Sequence, residues 1–197
     1  ILTLVDGAQT FGLLNLDLSA MGCDFFTGSS HKWLMGPKEA GVLYIRSESQ
    51  EHLAPSQVGL GGGRVGASRT YEQLGQRDNP CILALGEAID FQTRIGKDQI
   101  ERHSLALAAL LKEALLKLPG VHMYSPTSPA ISSAVVTFRP GDADIGELNS
   151  RLYAEHRIAC ATRGGNTPGF RFSPHIYNSE QQVERVVAAF SDAIGTA

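Results

Sequence analysis

The chain has 197 residues, of which 43% are hydrophobic and 19% are charged, so it is long enough and apolar enough to bury a core. Its formal charge of −3 offers no basic surface for nucleic acid or an anionic membrane, and no apolar run approaches the ~20 residues of a membrane span. We therefore expect neither nucleic acid nor a membrane as a partner.

Cysteine and histidine spacing argues against two further classes of site. Cys23, Cys81 and Cys160 are widely spaced without a Cys-x-x-Cys pair, and the six histidines show neither HxH nor HExxH spacing. The opening ILTLV lacks the basic flank and cleavage pattern of a signal peptide. We expect reduced thiols, no bound metal and a cytoplasmic location.

The first part of the chain predicts short strands joined by brief connections. ILTLV is almost wholly apolar, as in a strand buried on both faces, and the glycine-containing turn DGAQTFG follows it. Further strands are predicted at about Asp24–Thr27 and Val42–Arg46. This pattern indicates part of an open α/β sheet.

A polar, glycine-rich stretch follows from Ser47 to Pro80. Gly61, Gly62 and Gly63 in this stretch would suit a phosphate cradle, but they lack the Lys-Ser/Thr pair of a P-loop and do not lead directly into a helix. A flexible loop is the favoured interpretation.

Two helices are predicted next, at about Cys81–Thr93 and Asp98–Leu118. The second repeats apolar residues at helical spacing, which predicts a core-facing side, and the dipeptide PG ends it. A change in composition at Leu118–Gly120 then predicts a boundary between residues 1–118 and residues 119–197.

Residues 119–197 predict a small α/β unit. Its strands are expected at VHMY, SSAVVTFR, RIACA and GFRFSP. A helix is predicted from Ile145 to His156 after Asp144, and a closing helix follows Ser179 as its cap.

Polar side chains follow two of the predicted strands in the first part. Asp6 ends ILTLV, and TGSSHKWLMGP follows the next strand. Because ligands of open α/β sheets lie beyond the carboxyl ends of strands, both loops can reach one site.

The site would hold a carboxylate, an amide, hydroxyls, an imidazole and an amine, from Asp6, Gln9, Ser29, Ser30, His31 and Lys32. Pyridoxal 5′-phosphate requires these groups, because its aldehyde needs an amine, its pyridine nitrogen a carboxylate and its phosphate several donors.

These motifs, followed by GP and GVLYIR, carry a resemblance to a known family. VDGAQTFG and GSSHKWLMGPKEAGVLYIR resemble the class V aminotransferases, fold-type I pyridoxal-phosphate enzymes that include isopenicillin N epimerase-like proteins, cysteine desulfurases and kynureninases. The resemblance implies that Asp6 contacts the pyridine nitrogen, Gln9 the phenolic oxygen, and Ser29 and His31 the phosphate. Lys32 would be the Schiff-base lysine. Taken singly, Asp6 would be a turn residue and His31 a surface side chain.

The resemblance continues toward the end of the chain. YEQLGQRDNP looks like a segment whose threonine reaches the cofactor phosphate of the other subunit, and Gln76 stands at that position here. GFRFSPHIYN looks like the segment whose arginine binds the substrate carboxylate, which implies this role for Arg171. Strand alternation also puts Arg171 on the face opposite Phe170, toward a cleft, although an exposed strand arginine is the alternative. Arg163 is a second candidate for the same role.

The family implies a fold and an assembly. We expect an α/β fold that comprises the C-terminal part of a fold-type I large domain, residues 1–118, and the small C-terminal α/β domain, residues 119–197. Family members are roughly twice as long, so we expect a partial chain or one completed by a partner. The loop from Val58 to Asp78 is expected to reach toward a neighbour in a homodimer, placing Gln76 and Arg77 near the other chain's cofactor.

Two functions are compatible with these features. The first is a pyridoxal-phosphate enzyme acting at the α-carbon of an amino acid, as an aminotransferase, epimerase or lyase. Desulfuration is disfavoured because RGGNTPGFR has no cysteine and Cys160 falls in a predicted strand. The second is a non-catalytic remnant, structural or oligomeric, that binds no cofactor.

Overall fold

The computed structural model describes residues 1–56, 71 and 75–195. The chain forms two compact units, Ile1–Ile100 and Glu101–Ala197. Gly61–Gly63 and most of the loop from Val58 to Asp78 lie outside the described residues. Within the described ranges, no helix has both the length and the apolarity needed to cross a bilayer.

The first unit is built on a three-stranded sheet in the order β1-β2-β3. The strands β1 (Leu4–Asp6) and β2 (Phe25–Ser29) are parallel, and β3 (Gly41–Ile45) pairs with β2 in the antiparallel direction. The predicted strands therefore exist, with shifted ends. Burial of ILTLV on both faces is wrong, because Leu4 is 67% exposed and the side chain of Leu2 is exposed as well.

Two helices of the first unit begin after an aspartate that caps their N-terminus. Asp17 accepts hydrogen bonds from two backbone amides of α1 (Leu18–Met21). Asp78 caps α2 (Asn79–Ile95) by accepting from the Cys81 amide at 3.1 Å. The predicted helix at Cys81–Thr93 is confirmed, and it begins earlier because Asp78 is a cap and proline is tolerated in a first turn. A 3₁₀ helix spans Ser47–His52.

The second unit contains a four-stranded antiparallel sheet in the order β4-β5-β7-β6. The helix α3 (Lys97–Leu115) contains the division between the units, so the predicted change of domain at residue 118 lies beyond this division and stays a prediction. The remaining elements are β4 (Val121–Met123), a 3₁₀ helix (Pro129–Ile131), β5 (Val136–Pro140), α4 (Ile145–His156), β6 (Ala161–Arg163), β7 (Gly169–Phe172) and α5 (Glu180–Gly195).

A cluster of aromatic rings forms the core of the second unit. Phe138, Phe170 and Phe190 are fully buried, and the Phe190 ring centroid lies 5.1 Å from each of the other two. The apolar face predicted for α3 is confirmed at Leu111 and Leu115, which are also buried. Burial of such rings and leucines stabilises this unit.

The predicted strand RIACA is mostly wrong. Arg157 instead ends α4 in the left-handed conformation, with φ of 57°, and its amide donates to the carbonyls of Leu152 and Tyr153. This helix-ending turn delays strand pairing until Ala161. The predicted helix Ile145–His156 is confirmed with both ends, as is the cap at Ser179, whose hydroxyl accepts from the Gln182 amide at 3.3 Å.

Candidate active site

Two polar loops leave the first unit's sheet at the same edge. Asp6 ends β1 and pairs with Thr27, while Ser29 ends the parallel neighbour β2. The segments Asp6–Gln9 and Ser29–Lys32 therefore follow the carboxyl ends of adjacent parallel strands, as the sequence predicted. We call this group of residues the strand-end site.

Asp6 is exposed and forms part of a tight turn. One carboxylate oxygen, Oδ1, accepts from the Ala8 amide at 2.9 Å, and the Gly7 amide donates to the Thr27 carbonyl at 2.7 Å. A Cβ atom on Gly7 would lie 2.0 Å from the Phe26 ring, so only glycine lets this turn pack on β2. Among described residues, Oδ2 of Asp6 has no hydrogen-bond partner, which leaves it available to a ligand.

A buried tryptophan connects the two loops. The Trp33 indole N–H donates to Oε1 of Gln9 at 3.1 Å, and the amide nitrogen of Gln92 on α2 donates to the Trp33 carbonyl at 2.6 Å. Trp33 and Gln92 are both buried. The residue next to Lys32 is therefore fixed from two sides.

Sequence reasoning missed Trp33 and Gln92 as supports of this loop. The signals were present, since Trp33 is the chain's single tryptophan and Gln92 is a polar residue within the apolar pattern of a predicted helix. What the sequence did not contain was the long-range pairing between them.

Ser30 holds the loop's backbone rather than a ligand. Its side chain is fully buried, and its hydroxyl donates to the carbonyls of Pro37 and, at 2.9 Å, Ala40. The Gly36 amide donates back to the Ser30 carbonyl at 2.8 Å. The Ser30 hydroxyl, which we expected to contribute to the site, is therefore engaged by backbone carbonyls. Ser29 is then the serine of this loop whose hydroxyl can bind a ligand.

His31 and Lys32 lie in the loop beyond Ser30. His31 is exposed and Lys32 is partly exposed. Over the part of the chain that the structure describes, neither side chain makes a hydrogen bond or an ion pair. The His31 imidazole and the Lys32 amine are therefore available to bind a ligand at the edge of the sheet where β1 ends with Asp6.

The donors at this edge fit pyridoxal 5′-phosphate. Counting only partners within the described residues, the strand-end site offers a carboxylate oxygen without a hydrogen bond and a lysine without an ion pair. It also offers a glutamine whose carbonyl oxygen is fixed by Trp33, so that its NH₂ is oriented. These are the partners that a pyridine nitrogen, a phenolic oxygen and an aldehyde require. The Ser29 hydroxyl and the His31 imidazole, which make no hydrogen bond to any described residue, are donors of the kind that phosphate binds.

Gln76 is not joined to the strand-end site within this chain. It is exposed, and over the described ranges it makes no hydrogen bond or ion pair. The prediction that it contacts a cofactor phosphate therefore depends on another chain.

Arg171 lies inside the second unit's sheet. It pairs with Thr137 on β5 and Ala161 on β6, and it lines a cavity of about 400 Å³. Its Nε is enclosed and has no hydrogen-bond partner among the described residues. An enclosed guanidinium nitrogen without an acceptor is expected to bind a ligand's oxygen. Arg163 ends β6, is exposed, and does not line this cavity.

Cys160 lines the same cavity as a protonated thiol. Burial raises the pKa of Cys160 to about 11, and its Sγ donates weakly to Oδ1 of Asn149 at 3.5 Å. At neutral pH the thiolate fraction is therefore very small, and Cys160 is a poor nucleophile.

Comparison with known proteins supports the resemblance. The family model of class V aminotransferases matches residues 1–186. Isopenicillin N epimerase from Amycolatopsis lactamdurans is 35% identical over 208 residues, covering 98% of this chain and 52% of its own length. The chain thus spans about half the length of the curated relatives it matches.

Solved structures give the same result for the fold. The apo structure of a cysteine desulfurase from Thermococcus onnurineus NA1 has a TM-score of 0.85 and 26% identity, covering all of this chain and 53% of its own. A variant of C-DES with glycine covalently linked to its PLP cofactor has a TM-score of 0.81 and 25% identity, covering 97% and 51%. The predicted α/β fold, the later part of a fold-type I large domain with a small α/β domain, is confirmed. The chain belongs to the class V aminotransferase family of pyridoxal-phosphate enzymes.

Proposed function

We propose that this chain forms part of a pyridoxal-phosphate enzyme that acts at the α-carbon of an amino acid by transamination, epimerisation or elimination. The observation that carries the proposal is the strand-end site. Two parallel strands end in loops that hold Asp6, Gln9 and Lys32, and the Trp33–Gln9 hydrogen bond ties these loops together.

The residues have distinct roles in this proposal. Lys32 attaches the cofactor and later moves the proton at the substrate α-carbon. Asp6 keeps a proton on the pyridine nitrogen, and the Gln9 amide nitrogen donates to the phenolic oxygen. When bound, pyridoxal 5′-phosphate supplies an electron sink for the α-carbon. Ser29 and His31 donate to its phosphate, and Gln76 serves the phosphate of a second subunit.

The substrate's carboxylate is assigned to Arg171. Its enclosed Nε without a partner supports this role, because a planar guanidinium binds a carboxylate through two parallel hydrogen bonds. Arg163 is the exposed second candidate. In the same proposal, residues 1–118 belong to the cofactor-binding domain and residues 119–197 to the small domain.

Epimerisation, transamination or elimination is favoured over desulfuration. Cys160 is partly buried, with a pKa raised to about 11, and the segment from Gly164 to Phe170 has no cysteine that could act as the sulfur acceptor. A remnant that binds no cofactor is not favoured, because the strand-end site retains the carboxylate, amide, hydroxyl, imidazole and amine of Asp6, Gln9, Ser29, His31 and Lys32.

The chain is further proposed to act in the cytoplasm as a homodimer, or paired with a chain that completes its sheet. Leu83 and Phe91 on α2 are 71% and 50% exposed, and Leu4 on β1 is exposed as well. Pairing would cover these side chains and place Gln76 and Arg77 near a neighbour's cofactor. Light scattering at micromolar concentration tests this, and a stable, well-folded monomer would contradict it.

Cofactor attachment is tested by adding pyridoxal 5′-phosphate, reducing with borohydride and mapping the labelled peptide. We expect a visible absorbance band before reduction and the pyridoxyl group on Lys32. The variant Lys32→Ala should lose the band, while Lys38→Ala, in an exposed position of the same loop, should keep it. Labelling at Lys38 or Lys97 in the assembled protein would contradict the assignment.

The role of Asp6 has its own test. Asp6→Asn should retain the coloured complex but lower turnover strongly, because the pyridine nitrogen loses its charged partner. Unchanged turnover would make Asp6 a turn residue only.

A further inference from the structure

The cavity of about 400 Å³ in the second unit has an unusual charge balance. Three arginines line it, Arg157, Arg171 and Arg185, and none of its lining residues is an aspartate or a glutamate. Its other polar lining groups are those of Cys160, Ser173, Asn178 and Gln182. All of these residues belong to the second unit.

No carboxylate in the described part of the chain pairs with the three guanidinium groups. Arg157 and Arg185 are exposed at the cavity's rim, and across the described part of the chain none of the three arginines forms an ion pair. A guanidinium nitrogen of Arg185 donates to the His156 carbonyl at the end of α4, which engages one of its donors. Arg171 has an enclosed Nε without a partner. The positive charges around the cavity repel one another, and a bound anion would offset this repulsion.

The volume of the cavity indicates how large an anion it can bind. Sites for small molecules have volumes of about 300–1,000 Å³, so 400 Å³ holds more than one carboxylate group. One guanidinium suffices to bind one carboxylate through two hydrogen bonds, which leaves Arg157 and Arg185 for a second anionic group.

We propose that this cavity binds an amino acid with two anionic groups, the α-carboxylate on Arg171 and a second carboxylate on Arg157 and Arg185. The inference rests on the proposed function, because Arg171 is assigned there to the α-carboxylate. It specifies the substrate class as amino acids whose side chain ends in a carboxylate.

Binding of simple acids to the cofactor-free chain tests the proposal. Calorimetric titration with glutarate, a dicarboxylate, is compared with titration by butyrate, its monocarboxylate counterpart. We expect glutarate to bind about tenfold more tightly, because charge-assisted hydrogen bonds to the second carboxylate add to the first. Arg157→Asn and Arg185→Gln should each reduce this preference. Asparagine is chosen because it tolerates the left-handed backbone of residue 157.

Two variants separate charge from structure. Arg151→Gln, on α4 but outside the cavity, should leave the preference unchanged. Arg185→Lys retains a positive charge and a donor for the His156 carbonyl at the end of α4, so it should keep most of the preference. Equal binding of the two acids, or a preference that survives both Arg157→Asn and Arg185→Gln, would overturn the second anionic subsite.

The two proposals fail in different experiments. A glutarate preference without a pyridoxyl label on Lys32 would contradict the proposed function and support the dicarboxylate cavity. A label on Lys32 with equal binding of glutarate and butyrate would overturn the dicarboxylate cavity alone.

Discussion

The two sheets of this chain bury their apolar residues to different extents. In the second unit, Phe138, Phe170 and Phe190 are fully enclosed between the sheet and α5. In the first unit, Leu4 on β1 and Leu43 on β3 are mostly exposed, and the strand-end site is held by single hydrogen bonds from Trp33 and Gln92. The second unit thus encloses an aromatic cluster, whereas the first buries a smaller apolar group that includes Leu13, Phe26 and Leu34 and leaves leucines on two of its strands exposed.

The difference extends to where the functional residues lie. Lys32 lies on the loop that follows β2, and Asp6 is the last residue of β1, at the start of its loop. Arg171 lies within a strand paired on both sides, which fixes its backbone. In the proposed function, the residue that moves protons and the residue that anchors a carboxylate therefore belong to different kinds of element, a loop and a paired strand.

Truncating the aromatic core should show the largest effect. Phe190→Ala removes the ring that contacts Phe138 and Phe170, and we expect a loss of about 3–5 kcal/mol in the free energy of unfolding. Leu4→Ala, the exposed counterpart in the first unit, should change it by less than about 0.5 kcal/mol. Urea denaturation of both variants measures this, and equal losses would remove the contrast between the units.

The polar support of the strand-end site gives the next effect. Gln92→Leu removes the hydrogen bond from the Gln92 side chain to the Trp33 carbonyl, which should cost about 0.5–1.5 kcal/mol. Because Trp33 is the chain's single tryptophan, its fluorescence should also shift toward that of an exposed indole.

Gln99→Leu is the matched control, since Gln99 is exposed on α3. It should change neither stability nor fluorescence appreciably. A silent Gln92→Leu variant would show that the Trp33 loop is held by other contacts.

Local chemistry made much of this structure predictable. Asp144 and Ser179 marked the starts of two helices, apolar spacing predicted the helix near Cys81–Thr93, and alternation predicted that Phe170 and Arg171 face opposite ways. The motifs around Asp6 and Lys32 placed two loops at one edge because parallel strands put their carboxyl ends together.

What the sequence did not predict depends on distant partners. RIACA has the composition of a strand, but Arg157 forms the C-terminal cap of α4. No local feature of the sequence shows that the helix end prevents a strand from starting at this residue. Likewise, Ser30 and Ser29 look equivalent in the sequence, and only the carbonyls of Pro37 and Ala40 distinguish the structural serine from the available one.

A carboxylate at the other end of β2 should make the first unit's stability depend on pH. Hydrogen bonds from the Ser49 hydroxyl, at 2.6 Å, and from Thr3 lower the pKa of Asp24 from 3.8 to about 2. Because the folded-state pKa is depressed, this stabilisation is present above about pH 4 and is lost as the pH falls toward 2.

Asp24→Asn should therefore lower the melting temperature at pH 6 and have little effect near pH 2. Thermal melts across this range measure the change, with Asp90→Asn on the exposed side of α2 as control. A melting-temperature difference that is the same at pH 6 and pH 2 would contradict the role of the Asp24 carboxylate.

The smallest expected effect is on the reactivity of the Cys160 thiol rather than on stability. It tests how well the second unit shields this thiol from solvent. Burial raises the pKa of Cys160 from 9.0 to about 11, so its thiolate fraction at pH 7 is about a hundredfold below that of an ordinary thiol. Alkylation of Cys160 by iodoacetamide, followed by mass spectrometry, should be slow at pH 7 and rise about tenfold per pH unit toward 11. In denaturing urea the same thiol should react at the ordinary rate, because burial alone causes the shift. Fast alkylation of the folded protein at pH 7 would show that the cavity beside Arg171 is open and that its thiol is available for chemistry.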